Sequence, residues 1–174
     1  MLLHAPFQAQ QSSAYRLGWV LLLAAAAVIL TALAFEHLGG YVPCVLCLQQ
    51  RYAYYAAIPL LFVALVLVGA DNSRSAAAVF VLVAAAFIAN AVLGGYHAGV
   101  EWGYFDPPAA CSISQPLSGD ASSWLKDLDK VRPVRCEEIP WQFLGLSLAG
   151  WNVVASLGLA AGAIAAALRA ADRA

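Results

Sequence analysis

Charge is what this sequence has least of. Only 11% of its 174 residues are charged while 63% are hydrophobic, and an ordinary soluble domain carries about 25% charged residues. That balance excludes a typical soluble enzyme and belongs to a membrane protein, whose length allows one compact domain over residues 1–174. A basic excess is missing too. The formal net charge is −1 and the pI lies near 6.2, so the electrostatic footprint of a nucleic-acid binder is absent. There is no internal repeat beyond a general richness in alanine, and no clean cleavage pattern follows the first apolar run. Cysteines number four, and they form one Cys-x-x-Cys with no second copy.

What is present begins with four long apolar runs, at 17–35, 52–70, 75–96 and 143–168. A bilayer core needs about 20 apolar residues as helix, and backbone polar groups must be satisfied within lipid. Each run is therefore predicted to span as a helix, with boundaries near 17–35, 48–70, 75–96 and 143–168. The fold expected is an all-α, four-helix transmembrane bundle. The runs are interrupted by few polar side chains, chiefly Thr31, Asn90 and Asn152.

Four spans put both termini on one side with the short loop at 71–74. The other side receives a short loop near 36–47 and a long one near 97–142. Arg16, Arg74, Arg169 and Arg173 fall on the first side, and Lys126, Lys130, Arg132 and Arg135 in the long loop on the other. Short flanking segments weigh most in orientation, so both termini are expected to be cytoplasmic. All four cysteines, Cys44, Cys47, Cys111 and Cys136, then face the compartment where disulfides persist. Within the long loop, "SSWLKDLDKVR" sets Trp124, Leu125, Leu128 and Val131 at helical spacing. It reads as a short amphipathic helix, lying on the membrane or packed on the mouth of the bundle.

The stretch "YVPCVLCLQQRYAYY" at 41–55 carries the chemistry. Cys-x-x-Cys is a redox-dithiol spacing whose reactive thiolate is favoured by a helix N-terminus and a nearby cation. Pro43 suits a helix start, because its missing N–H would have had no partner there. If the second helix begins here, Cys44 and Arg51 differ by about 20° around the axis, and Arg51 lies roughly 6 Å beyond Cys47. An arginine at that depth either snorkels to headgroups or donates to a membrane-soluble acceptor, and the residues alone favour neither. The dithiol has rivals as well. It could be half a zinc site, although Cys111 and Cys136 stand far apart rather than as a second pair. A haem-attachment motif would need His where Leu48 stands. Cys111 and Cys136 could close a structural disulfide worth about 3 kcal/mol, or exchange with the dithiol through mixed disulfides.

Taken together, "PCVLC" followed by Arg51, four spans and a second cysteine pair resemble the disulfide bond formation protein B family, DsbB. "YHAGVEWG" at 96–103 and "FLGLSLAGWN" at 143–152 add to the likeness. The resemblance implies a bacterial inner-membrane protein-dithiol:quinone oxidoreductase, with its cysteine loops in the periplasm, which reoxidises a DsbA-like thiol oxidase and delivers electrons to ubiquinone or menaquinone. It implies that Cys44 and Cys47 are the quinone-coupled pair, with Cys47 facing the ring, and that Arg51 lies beside the quinone. It further implies that Cys111 forms the mixed disulfide with the partner and that Cys136 resolves it and can pair transiently with Cys44. His97 falls where the family often has a histidine near the quinone; a satisfied histidine at a helix end is the other reading. Gln49 and Gln50 depart from members with an aromatic and an acid there. No metal is implied. The rival readings are a quinone-linked oxidoreductase resembling vitamin K epoxide reductase, and a non-catalytic four-span protein with structural disulfides.

Overall fold

A computed structural model describes residues 5–112 and 135–172. The expected amphipathic helix around 122–132, with Lys126, Lys130 and Arg132, lies outside these residues. Four long helices dominate: α1 (Ala5–His37), α2 (Val45–Gly69), α3 (Ser73–Glu101) and α5 (Leu148–Ala171), with a single turn α4 (Ala109–Ser112) between the last two. All four are long and apolar enough to cross a bilayer, in agreement with the four spans expected. The chain is an all-α, multi-pass membrane protein.

Three of the long helices start where a side chain caps them. Cys44 precedes α2 and its sulfur accepts the Cys47 backbone N–H. Asn72 caps α3 through the Ser75 N–H, and Ser147 caps α5 through the Gly150 N–H. Such caps satisfy backbone donors that have no partner inside the helix. The connection between α2 and α3 is tight, with Asp71 at φ 56°.

The helices form a ring in which α1 touches α2 and α5, α3 touches the same two, and α3 with α5 is the most extensive pairing. Small residues permit this closeness, as they do in membrane bundles generally. Ala57, Ala64, Ala76, Ala163 and Ala166 are wholly buried, with Phe80, Phe87, Leu61 and Val83 filling the spaces between. At Gly94 a Cβ would stand 3.0 Å from Val153 and 3.2 Å from the Asn152 amide, so a larger residue would push those side chains aside by a few tenths of an ångström where α3 meets α5. Outer faces carry exposed apolar groups such as Leu23, Leu30, Phe62, Val81 and Val92, which suits a lipid surround.

Two boundaries differ from expectation in ways that matter. The fourth apolar run does not begin as helix at 143. Gln142–Phe143 (β1) pairs antiparallel with Leu146–Ser147 (β2), around Leu144 and Gly145 at φ 53° and 79°. Two successive positive φ values make a tight hairpin turn, and hydropathy cannot separate such a hairpin from a helix start. The third helix runs beyond 96 to Glu101, so His97 sits within it, one turn before its end.

Candidate redox site

The starts of α2 and α5 and the end of α3 meet at one end of the bundle. Cys44 occupies the N-cap of α2, and the helical first turn brings Cys47 beneath it. Their sulfurs stand 2.7 Å apart and both are free thiols. The Cys47 N–H donates to the Cys44 sulfur at 3.2 Å. Cys44 lies just ahead of the spanning helix. Its thiol is pulled from an ordinary 9.0 down to about 4. The hydrogen bond from the Cys47 thiol is the largest cause, and burial opposes it. His97 and the Cys47 backbone N–H assist. Positive partial charge at a helix N-terminus acts in the same direction.

That depression has a sign. A group whose folded value is lowered contributes stability that is complete above its unfolded value and is lost as pH falls toward the folded one. The reduced protein should therefore keep the full contribution above about pH 9 and lose it progressively down to about pH 4. Ultraviolet titration should show one thiolate persisting to about pH 4; titration of both thiols near their ordinary value would contradict the assignment.

Cys111 and Cys136 are joined in a disulfide. Both are buried, in one cluster with Cys44, Leu46 and Val100, edged by Cys47, Leu93 and Tyr96. All four cysteines thus share one apolar nest, although sequence places them in separate loops.

His97 reaches this nest from α3. Its Nε2 lies 3.6 Å from the Cys44 sulfur, and the Gln50 amide meets its Nδ1 at 2.9 Å. One turn later Glu101 brings a carboxylate oxygen within 3.9 Å of Nε2, and the Ser147 hydroxyl donates to that carboxylate. His97 is 3% exposed. It is a satisfied histidine near a helix end, and it is also a neighbour of the Cys44 sulfur.

Arg51 meets a partner the sequence did not suggest. It pairs with Glu36 near the end of α1. Neither headgroup snorkelling nor a membrane acceptor accounts for that contact, because Glu36 is remote in sequence and reaches Arg51 only through the packing of α1 on α2.

Beside the dithiol lies a cavity of about 400 Å³. Its walls are mainly apolar, from α1 (Ala27, Val28, Phe35), the following loop (Tyr41, Pro43) and α5 (Leu148, Trp151). Polar groups converge on it from Cys47, Gln50, Arg51, Tyr54, His97 and Asn152. Cys44 is not a wall of it. The cavity suits a flat, largely apolar molecule carrying hydrogen-bond acceptors, with one thiol at its edge. Glu36, Gln50, Tyr54, Glu101 and Asn152 went unassigned from sequence; polar residues inside apolar runs, of which Asn152 is one, were the available signal.

The chain is similar to known proteins. A family model described as "Disulfide bond formation protein DsbB" matches residues 15–166. The chain is 32% identical over 171 residues to disulfide bond formation protein B of Xanthomonas oryzae pv. oryzae, covering 95% of each. It is 32% identical over 129 residues to the protein of that name from Aromatoleum aromaticum, covering 70% of this chain and 73% of that one. No solved structure matches. Matched along nearly its whole length, with both cysteine pairs inside the match, the chain belongs to the DsbB family of disulfide bond formation proteins.

Proposed function

We propose that the protein is a membrane thiol oxidase that reoxidises a DsbA-like periplasmic dithiol and passes the electrons to a membrane quinone. One observation carries the reading: Cys47 is both a member of the dithiol and a wall of the apolar cavity that Arg51 and His97 also line. There a thiol can meet a lipid-soluble acceptor. The residues fit a quinone, because polar donors stand at one side of an otherwise apolar space. A bound quinone supplies a two-electron, two-proton acceptor, either ubiquinone or menaquinone.

The protein's own residues do the rest. A partner thiolate attacks the Cys111–Cys136 disulfide at Cys111, and the Cys136 sulfur leaves. Cys136 then attacks Cys44 of the oxidised inner pair, which frees Cys47 at the cavity wall. The partner's second thiolate then displaces Cys111, and Cys111 attacks the Cys44–Cys136 disulfide. That restores Cys111–Cys136 and leaves Cys44 and Cys47 as the dithiol, which gives up two electrons and two protons as it closes again. Each exchange breaks one S–S bond and forms another. The net change is partner dithiol to disulfide and quinone to quinol. Burial of both pairs in one nest favours the second exchange, since attack requires sulfur contact. Arg51 holds the acceptor oxygen side of the cavity, and its guanidinium offsets negative charge building there. DsbA is a strong oxidant at about −120 mV, so a pool drained by respiration is a fitting sink. The single domain sits in the bacterial inner membrane with termini cytoplasmic and cysteine loops periplasmic.

The test uses purified protein, a reduced DsbA-like partner and quinone, with quinone absorbance followed over time. Partner-dependent bleaching is expected; its absence under conditions where the protein is folded would refute the reading. Cys111→Ser should stop transfer from the partner yet leave quinone able to oxidise the Cys44–Cys47 dithiol. Normal partner turnover by that variant would return the outer pair to a structural role.

A further inference from the structure

A run of polar side chains descends from the dithiol into the middle of the bundle. Its bonds have a direction except the Tyr54–Ser156 contact at 3.4 Å, where either hydroxyl can donate. The Tyr54 hydroxyl donates to Asn152 Oδ1 at 2.7 Å. The Asn90 amide donates to the same oxygen at 3.4 Å and to Ser156 at 3.0 Å. With its oxygen engaged by two donors, Asn152 must turn its NH₂ toward α2, where it donates to Gln50 Oε1 at 2.7 Å. That leaves the Gln50 NH₂ facing His97 Nδ1 at 2.9 Å. An amide nitrogen only donates, so Nδ1 must accept. A neutral imidazole carries one proton, which then lies on Nε2, the nitrogen 3.6 Å from the Cys44 sulfur.

We infer that Tyr54, Asn152 and Gln50 are positioning residues, a one-way donor chain that fixes His97 as a hydrogen-bond donor to the Cys44 thiolate. The chain deepens the proposed function, since it rests on Cys44–Cys47 being the redox pair. Its consequence is a division of labour: His97 does not take the Cys44 proton but solvates the sulfur once that proton has gone. Tyr54, Asn90, Gln50 and His97 are nearly inaccessible, and Asn152, the middle link, is half-buried at the cavity wall. A reversed link propagates, because each amide has one donor end and one acceptor end.

Other groups face the pair as well, and the Cys136 backbone is a further hydrogen-bond partner of the His97 ring. On α2 its neighbour is the Cys47 thiol. On α3, Glu101 lies 3.9 Å from Nε2, beyond hydrogen-bond reach, and its carboxylate accepts from Ser147. Tyr96 commits its hydroxyl to the Asp106 carbonyl. Cys111 and Cys136 are in a disulfide and do not titrate.

The experiment needs neither quinone nor partner. Reduced protein carrying Cys111→Ser and Cys136→Ser, labelled with ¹⁵N-histidine, is examined near neutral pH by NMR, and its thiolate is titrated by ultraviolet absorbance. The chain predicts a neutral His97 protonated at Nε2. A ring protonated at Nδ1, or at both nitrogens, would overturn it, and this measurement requires no change to the chain's residues. Asn152→Leu, which touches neither His97 nor sulfur, frees Gln50 to turn over. It should mix the two tautomers and leave about tenfold less thiolate at a given pH below the midpoint. Tyr54→Phe should do less, because Asn90 still donates to Asn152. A folded Asn152→Leu protein with unaltered tautomer and titration would show the network to be packing only. Failure of quinone reduction with the predicted tautomer present would instead sink the proposed function and leave the chain standing.

Discussion

Cys47→Ser is expected to reduce quinone reduction to background, a loss on the order of 10⁴-fold or more, as when a covalent nucleophile is removed. Cys47 is the thiol at the cavity wall, and a serine hydroxyl neither forms a disulfide nor ionises near neutral pH. A second, spectroscopic consequence follows from the site's geometry. The Cys47 thiol is the largest cause of the depressed Cys44 value, so its loss should return the Cys44 ionisation toward the ordinary thiol range. The measurement is anaerobic mixing of reduced protein with quinone, read by absorbance, beside a thiolate titration. Mass spectrometry under non-reducing conditions should find the Cys111–Cys136 disulfide intact, which separates lost chemistry from lost folding. Quinone reduction at the wild-type rate would remove Cys47 from the reaction.

Arg51→Ala should weaken apparent quinone affinity and slow turnover by about 1.5–3 kcal/mol, the range for one charged hydrogen bond. That corresponds to roughly ten- to hundredfold in kcat/KM. Lysine should rescue in part, since it keeps the charge but loses the planar fork of donors. The Glu36 contact complicates the single substitution, because Arg51→Ala leaves a carboxylate without its cation at an apolar wall. The double variant Arg51→Ala/Glu36→Gln resolves this. If Arg51 serves the acceptor, the double variant should recover stability and remain slow. Recovery of both would make the pair an anchor between α1 and α2. Steady-state kinetics against quinone concentration, with thermal unfolding on the same samples, decide between them.

The sequence by itself determined the membrane class, the number of helices and the position of the dithiol. Hydropathy over a span is a sum of many residues, so the four runs survive local irregularities. Cys-x-x-Cys and Arg51 lie within one turn or two of a single helix, where spacing converts directly to angle and rise. Short-range signals failed at run 143–168, where Leu144 and Gly145 make a hairpin that hydropathy treats as helix.

Tertiary structure alone decided which residues meet. Glu36 reaches Arg51 only because α1 packs on α2, and His97 reaches Cys44 only because α3 extends to Glu101. The long loop's cysteines join the inner pair in one nest across the ends of separate elements. Asn90 and Asn152 were visible as polar breaks in apolar runs, yet nothing in the sequence orients an amide. Its direction is fixed by the donors and acceptors facing it from other helices, and these exist only when the bundle has closed. The cavity follows the same logic, for it is bounded by four helices at once and belongs to none of them.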